Sequence, residues 1–136
     1  MATDWHKRIG AAKREELGQK GFNTFDTGKM IGFKWPAHRE SQIKAVDILA
    51  ENENEIVIAE VEDYLNEQGV QIGVGFTELG GIILSSYIAS KHTKKKVELC
   101  LIFPKNIEKN RLAKIKDYID DTRSALKSLH IRIEQG

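Results

Sequence analysis

The chain has 136 residues, 21 Lys plus Arg against 20 Asp plus Glu, a formal net charge of +1, 40% hydrophobic and 30% charged residues. That length fits one domain able to bury a core without metal or disulfide staples, and the near-neutral charge excludes a global cationic coat for nucleic acid, so any such site must be a local patch. The single cysteine, Cys100, lies in the apolar run Val97 to Phe103; it cannot form an internal disulfide and reads as a buried strand thiol. No apolar stretch approaches the roughly 20 residues of a membrane span. The first residues show no signal-peptide pattern, so a cytoplasmic, reducing location is expected.

Thr3 or Asp4 is a suitable N-cap, and Trp5, Ile9, Ala12 and Glu16, with Leu17, come next at helical spacing. Gly21 suits the left-handed residue that ends such a helix. Phe22 to Phe25 reads as a strand. Gly28, Gly32 and Pro36 break the stretch after Phe25 into a turn and a second short strand or loop. Gln42 to Ala50 reads as one strand, with Ile43, Ala45, Asp47 and Leu49 on one face. Glu51 to Asn54 is a polar turn, and Ile56 to Glu62 is a strand rich in β-branched residues. The short turn predicts an antiparallel hairpin.

A helix is predicted from about Val70 to Ser90, rich in Gly, Ser and Ala, then a basic turn from Lys91 to Lys96. Val97 to Phe103 reads as a central strand covered on both faces. Leu112, Ile115, Ile119, Leu126 and Leu129 predict a last helix over about Ile107 to Leu129, and Ile131 to Ile133 a short edge strand. The expected fold is one α/β domain over residues 1–136: a small mixed central sheet flanked by helices, in the order α-β-β-β-α-β-α, with a final short strand.

Three acids occupy positions where this pattern favours apolar residues. Asp47 shares its face with Ile43, Ala45 and Leu49, and Glu60 and Glu62 share theirs with Ile56 and Ile58. Residues two apart on a strand point the same way, and the hairpin can bring Asp47 beside the other two. Two readings are open. The acids form one site, where a divalent cation relieves their mutual repulsion and hard oxygen ligands favour magnesium or manganese. Alternatively, they sit at a solvated sheet edge, with Val46 and Ile48, or Val57, Ala59 and Val61, turned to the core.

The element order, with Val46-Asp47 on one strand and Glu60-Val61-Glu62 on the next, resembles the PD-(D/E)XK, or restriction-endonuclease-like, nuclease superfamily. Asp47 and Glu60 stand thirteen residues apart, a separation that fits that family's hairpin. In size and layout the chain is most similar to archaeal Holliday junction resolvases, whose first helix closes in Gly-Phe, as Lys20-Gly21-Phe22 does here. The resemblance covers roughly residues 5 to 103. It implies a metal-dependent DNA endonuclease, acting on branched DNA, with Mg2+ or Mn2+ held by Asp47, Glu60 and the backbone carbonyl of Val61. The family usually has Lys where this chain has Glu62. Some restriction endonucleases carry a second Glu there and remain active, so Glu62 is either a base or further ligand, or the mark of lost catalysis. The Gly-Phe ending aligns the family's first-helix Glu with Gly10, which has no side chain to offer. Glu16 on the same helix is the substitute ligand, or merely flanks the apolar stripe.

Lys91, Lys94, Lys95 and Lys96 form the densest basic cluster, either a phosphate contact or a solvated turn. Lys34 and Arg39 precede the Asp47 strand and are candidate DNA contacts. The four His residues show no ligand spacing. A homodimer is expected, through the small-residue surface of the Val70 to Ser90 helix or the apolar residues of the last helix. The competing function is a nuclease-like fold, catalytically silent, that binds nucleic acid or serves assembly.

Overall fold

The structure is a computed structural model and describes residues 4–25, 29–32, 42–62 and 75–136. Its elements are α1 (Asp4–Gln19), β1 (Asn23–Thr24), β2 (Lys29–Gly32), β3 (Gln42–Val46), β4 (Ile48–Glu51), β5 (Glu55–Val61), α2 (Gly75–Lys91), β6 (Lys96–Phe103), α3 (Lys109–Ala125) and β7 (Leu129–Gln135). Five strands form a mixed sheet in the order β1-β4-β5-β6-β7. β4 is antiparallel to β1 and β5, while β5, β6 and β7 run parallel. Such parallel neighbours need long crossovers, and the chain supplies helices there: α2 lies between β5 and β6, α3 between β6 and β7.

Period-two alternation sorts the core into two layers. On one face Leu49, Ile56, Ile58, Leu99, Leu101 and Phe103 pack with Leu79, Ile82 and Ile83 of α2 and Ile115 and Ile119 of α3. On the other, Ile48, Ala50, Val57, Ala59, Val61, Cys100 and Ile102 pack with Leu17, Trp5 and Ile9 of α1. β6 is therefore buried on both faces, as its continuous apolar run predicts. Each fully buried Leu, Ile or Phe contributes about 1.5–3 kcal/mol through removal from water.

The β4–β5 hairpin is antiparallel as expected, with Ile48 opposite Ala59 and Glu51 opposite Ile56. Its turn is fixed by Asn52, whose Oδ1 accepts the N–H groups of Asn54 and Glu55 at 2.8 Å each. The expected single strand from Gln42 to Ala50 is instead broken. β3 pairs with β2 in a separate two-stranded ladder, β4 pairs with β1 and β5, and Asp47 lies in the bend between them. The last helix is shorter than its leucine spacing suggests, because Leu126 leaves helical geometry at φ −109° and ψ 66° and Leu129 already belongs to β7. Helix α2 is described from Gly75; the expected start at Val70 lies outside the described residues.

The buried face of α1 also differs from the expected stripe. Gly10, Lys13 and Leu17 are buried, Trp5 and Ile9 are half-buried, and Ala12 is exposed. A lysine can occupy that face because its charge is met: Lys13 Nζ lies 2.8 Å from Glu16 Oε2 and 3.1 Å from Glu134 Oε1 on β7. Trp5 Nε1 adds a second tie to that end of the chain, donating to Gly136 O at 3.3 Å. Among the described residues no helix is long and apolar enough to cross a membrane.

Candidate functional site

Extending the hairpin register by one pair beyond Ile48 and Ala59 brings Asp47 opposite Glu60. The ladder stops there, and side chains take over its hydrogen bonds. The Asp47 N–H donates to Glu60 Oε1 at 2.7 Å, and the Val61 N–H donates to Asp47 Oδ2 at 2.9 Å. Each acid thus accepts a backbone hydrogen from the opposite strand, which meets the requirement that backbone polar groups find partners. The Val61 carbonyl leaves the extended strand on the same side as its N–H, toward Asp47.

Two residues of α1 complete the arrangement. His6 Nε2 lies 3.2 Å from Asp47 Oδ2, and Arg14 Nη2 donates to the Asp47 carbonyl at 2.9 Å. They stand 41 and 33 residues from Asp47 in sequence. Neither residue is expected in the site from the sequence. Both lie on the helix flank nearest buried Gly10, where a methyl group would come no closer than 3.8 Å to Arg14 Nη1. The only sequence signal is a histidine and an arginine two turns apart on one side of a helix.

Asp47 and Glu60 are therefore brought together. Glu62 lies just beyond β5, 6% exposed, with its N–H donating to Ile102 O at 2.7 Å. Among the described residues no group of three or more His, Cys, Asp and Glu side chains is arranged to hold a metal ion. Magnesium asks for less, since it keeps several waters and is held by one or two carboxylates. Asp47 Oδ1 has no hydrogen-bond partner among the described residues, and its side chain is 28% exposed. Carboxylate and carbonyl oxygens are the hard donors that magnesium and manganese favour.

Glu16 is elsewhere. It pairs with Lys13 at 2.8 Å and Lys20 at 3.3 Å. The Lys13 hydrogen bond, foremost, holds its carboxyl below the usual range. The basic turn is also elsewhere. Lys94, Lys95 and Lys96 adjoin the Glu55 end of β5, about 20 Å along the strand from Val61 at the usual rise per residue. Lys95 Nζ is taken up by Glu51 Oε2 at 3.0 Å and the Asn52 carbonyl at 2.8 Å, Lys91 Nζ lies 5.2 Å from the centroid of the Tyr87 ring, and Lys94 and Lys96 face solvent. A cleft of about 550 Å³ opens at that far end, lined by Gly21, Asn23, Lys95 and the hairpin turn, with no part of the acidic pair in it. Lys34 and Arg39 lie outside the described residues.

The chain matches no model of a known protein family, no curated protein and no solved structure.

Proposed function

We propose that the chain is a divalent-metal-dependent DNA endonuclease with a restriction-endonuclease-like fold. One observation carries the reading: Asp47 faces Glu60 across the open end of an antiparallel hairpin, each carboxylate accepting a backbone N–H from the opposite strand. The order of a first helix, a hairpin, a helical crossover and a parallel strand agrees with that fold. Mg2+ or Mn2+ at this point would activate water and stabilise charge on a scissile phosphate. Asp47 and Glu60 would hold the cation through carboxylate oxygens, and Val61 through its carbonyl. Glu62, in the place of the family's lysine, adds negative charge as a base or further ligand. Branched DNA and a homodimer are the substrate and assembly that the resemblance suggests.

A second reading rests on the same bonds. Because each acid accepts a backbone N–H, the pair also serves as a clasp closing the hairpin mouth, and the fold then works in binding or assembly without catalysis.

Gel cleavage of linear, nicked and four-way DNA with Mg2+ or Mn2+ at low salt, where phosphate contacts are strongest, tests the enzyme. Cleavage lost in Asp47→Asn and in Glu62→Ala supports it. Wild-type cleavage surviving both substitutions moves the chemistry elsewhere. No cleavage and no calorimetric manganese binding by wild type establishes the silent clasp.

A further inference from the structure

We propose that His6 is a positioning residue for Asp47, setting the carboxylate so that Oδ1 is the oxygen offered to the cation. The inference rests on Asp47 being a ligand. Asp47 belongs to neither of the ladders that flank it, so nothing in the sheet fixes its peptide. Its N–H goes to Glu60 Oε1, its carbonyl to Arg14 Nη2, and its Oδ2 both to the Val61 N–H and to His6 Nε2.

These bonds divide the labour. Glu60 and Arg14 hold the backbone; Val61 and His6 hold the side chain by one and the same oxygen. A single N–H on Oδ2 leaves the carboxylate free to turn about its Cβ–Cγ bond, which is broad and soft. A second contact on that oxygen from a different direction restricts the turn. An ionised carboxylate only accepts, so Nε2 carries the hydrogen in this bond. His6 is itself held: its neighbour Trp5 fixes the first turn of α1 to Gly136 at 3.3 Å, and Arg14 fixes the same helix two turns later. Loss of the imidazole therefore leaves α1 docked. Partners that orient a ligating carboxylate commonly change metal affinity by about 10–100-fold when removed.

The test is a titration with manganese alone, followed by calorimetry and by the electron paramagnetic resonance of free Mn2+, with thermal unfolding recorded for each protein. His6→Ala is expected to weaken manganese binding about tenfold or more. His6→Gln, whose amide donates from nearly the position of Nε2, is expected to recover most of the affinity, and His6→Asn, which is too short, to recover none. Equal affinity in His6→Ala and wild type, with Asp47→Asn unable to bind, overturns the positioning role and leaves the metal site standing. Equal weakening in His6→Ala and His6→Gln, in step with lowered unfolding temperature, reduces His6 to a structural contact. Manganese binding undiminished in Asp47→Asn, or absent from wild type, overturns the metal site and the positioning role with it. Should His6→Ala fail to fold, the contrast between His6→Gln and His6→Asn decides the matter.

Discussion

The two ends of β5 handle their charges differently. At the Glu55 end, Lys94 and Lys96 face water and Lys95 is neutralised by Glu51 and a turn carbonyl. At the Val61 end, Asp47 is held through its N–H, its carbonyl and Oδ2 by groups on β5 and α1. The basic turn is dense in sequence but loose in space. The acidic end is sparse in sequence, assembled from residues tens of positions apart, and geometrically fixed. Enforced geometry identifies the better candidate for chemistry, because a reacting group must be held in place, whereas solvated charge contributes mainly a long-range, salt-sensitive attraction.

The contrast can be broken most directly at Asp47. Asp47→Ala should remove detectable manganese binding and DNA cleavage. It should also cost about 1–3 kcal/mol in urea unfolding, because the Val61 N–H loses its acceptor. A smaller effect is expected from Lys13, two turns along α1 from His6. Lys13→Ala leaves Glu134 short of one partner and should cost about 2 kcal/mol while manganese binding is retained. Loss of manganese binding in that variant would show that the contacts of α1 with Glu134 and with Asp47 are not independent.

The same ion pair shapes the pH dependence of stability. Burial alone would lower the Lys13 pKa, but Glu16, Cys100 and Glu134 together outweigh it and raise the value above 10.5. Its contribution is therefore full below pH 10.5 and lost as pH rises through the folded value. Glu16 is shifted down from 4.5, so its contribution is present above that pH and lost as pH falls through the folded value. Lys13→Met should flatten both limbs of a stability–pH curve measured by urea midpoint.

Smaller still is the expected effect at the far end. Lys95→Ala should cost less than about 1 kcal/mol, since the pair with Glu51 is partly exposed. Lys94→Ala with Lys96→Ala should leave manganese binding unchanged and reduce only the salt slope of DNA binding. Last, Cys100 should resist thiol reagents at pH 8 until denaturant is added. It is fully buried, and burial pushes its thiol up to about 11.

Much of the sheet is legible because its signals are local. The β-branched run of β5, the polar turn at Asn52 and the unbroken apolar run of β6 each specify structure within a few residues. The break at Asp47 is not. Val46-Asp47-Ile48 continues an alternating pattern, and a shift from one ladder to another leaves no mark in composition. The end of α3 is hidden because Leu129 keeps helical spacing with Leu126 while serving as the first residue of β7. Buried Lys13 is invisible for a different reason: one of its partners, Glu134, is 121 residues away. The acid pair is legible as a pair, since the hairpin register is set by its turn, but its partners His6 and Arg14 depend on how α1 crosses the sheet. No one-dimensional pattern encodes that crossing.

The docking of α1 against the end of β7 has a consequence for how the molecule is made. Trp5 meets Gly136 and Lys13 meets Glu134, contacts that span 131 and 121 residues. Helix α1 thus meets these partners only after β7 has been synthesised, on the order of ten seconds later at ordinary elongation rates. Until then these contacts of α1 with β7 and Gly136 cannot form. Closing so long a loop carries an entropy cost that weighs on folding speed more than on stability. The burial of Trp5 is its natural clock.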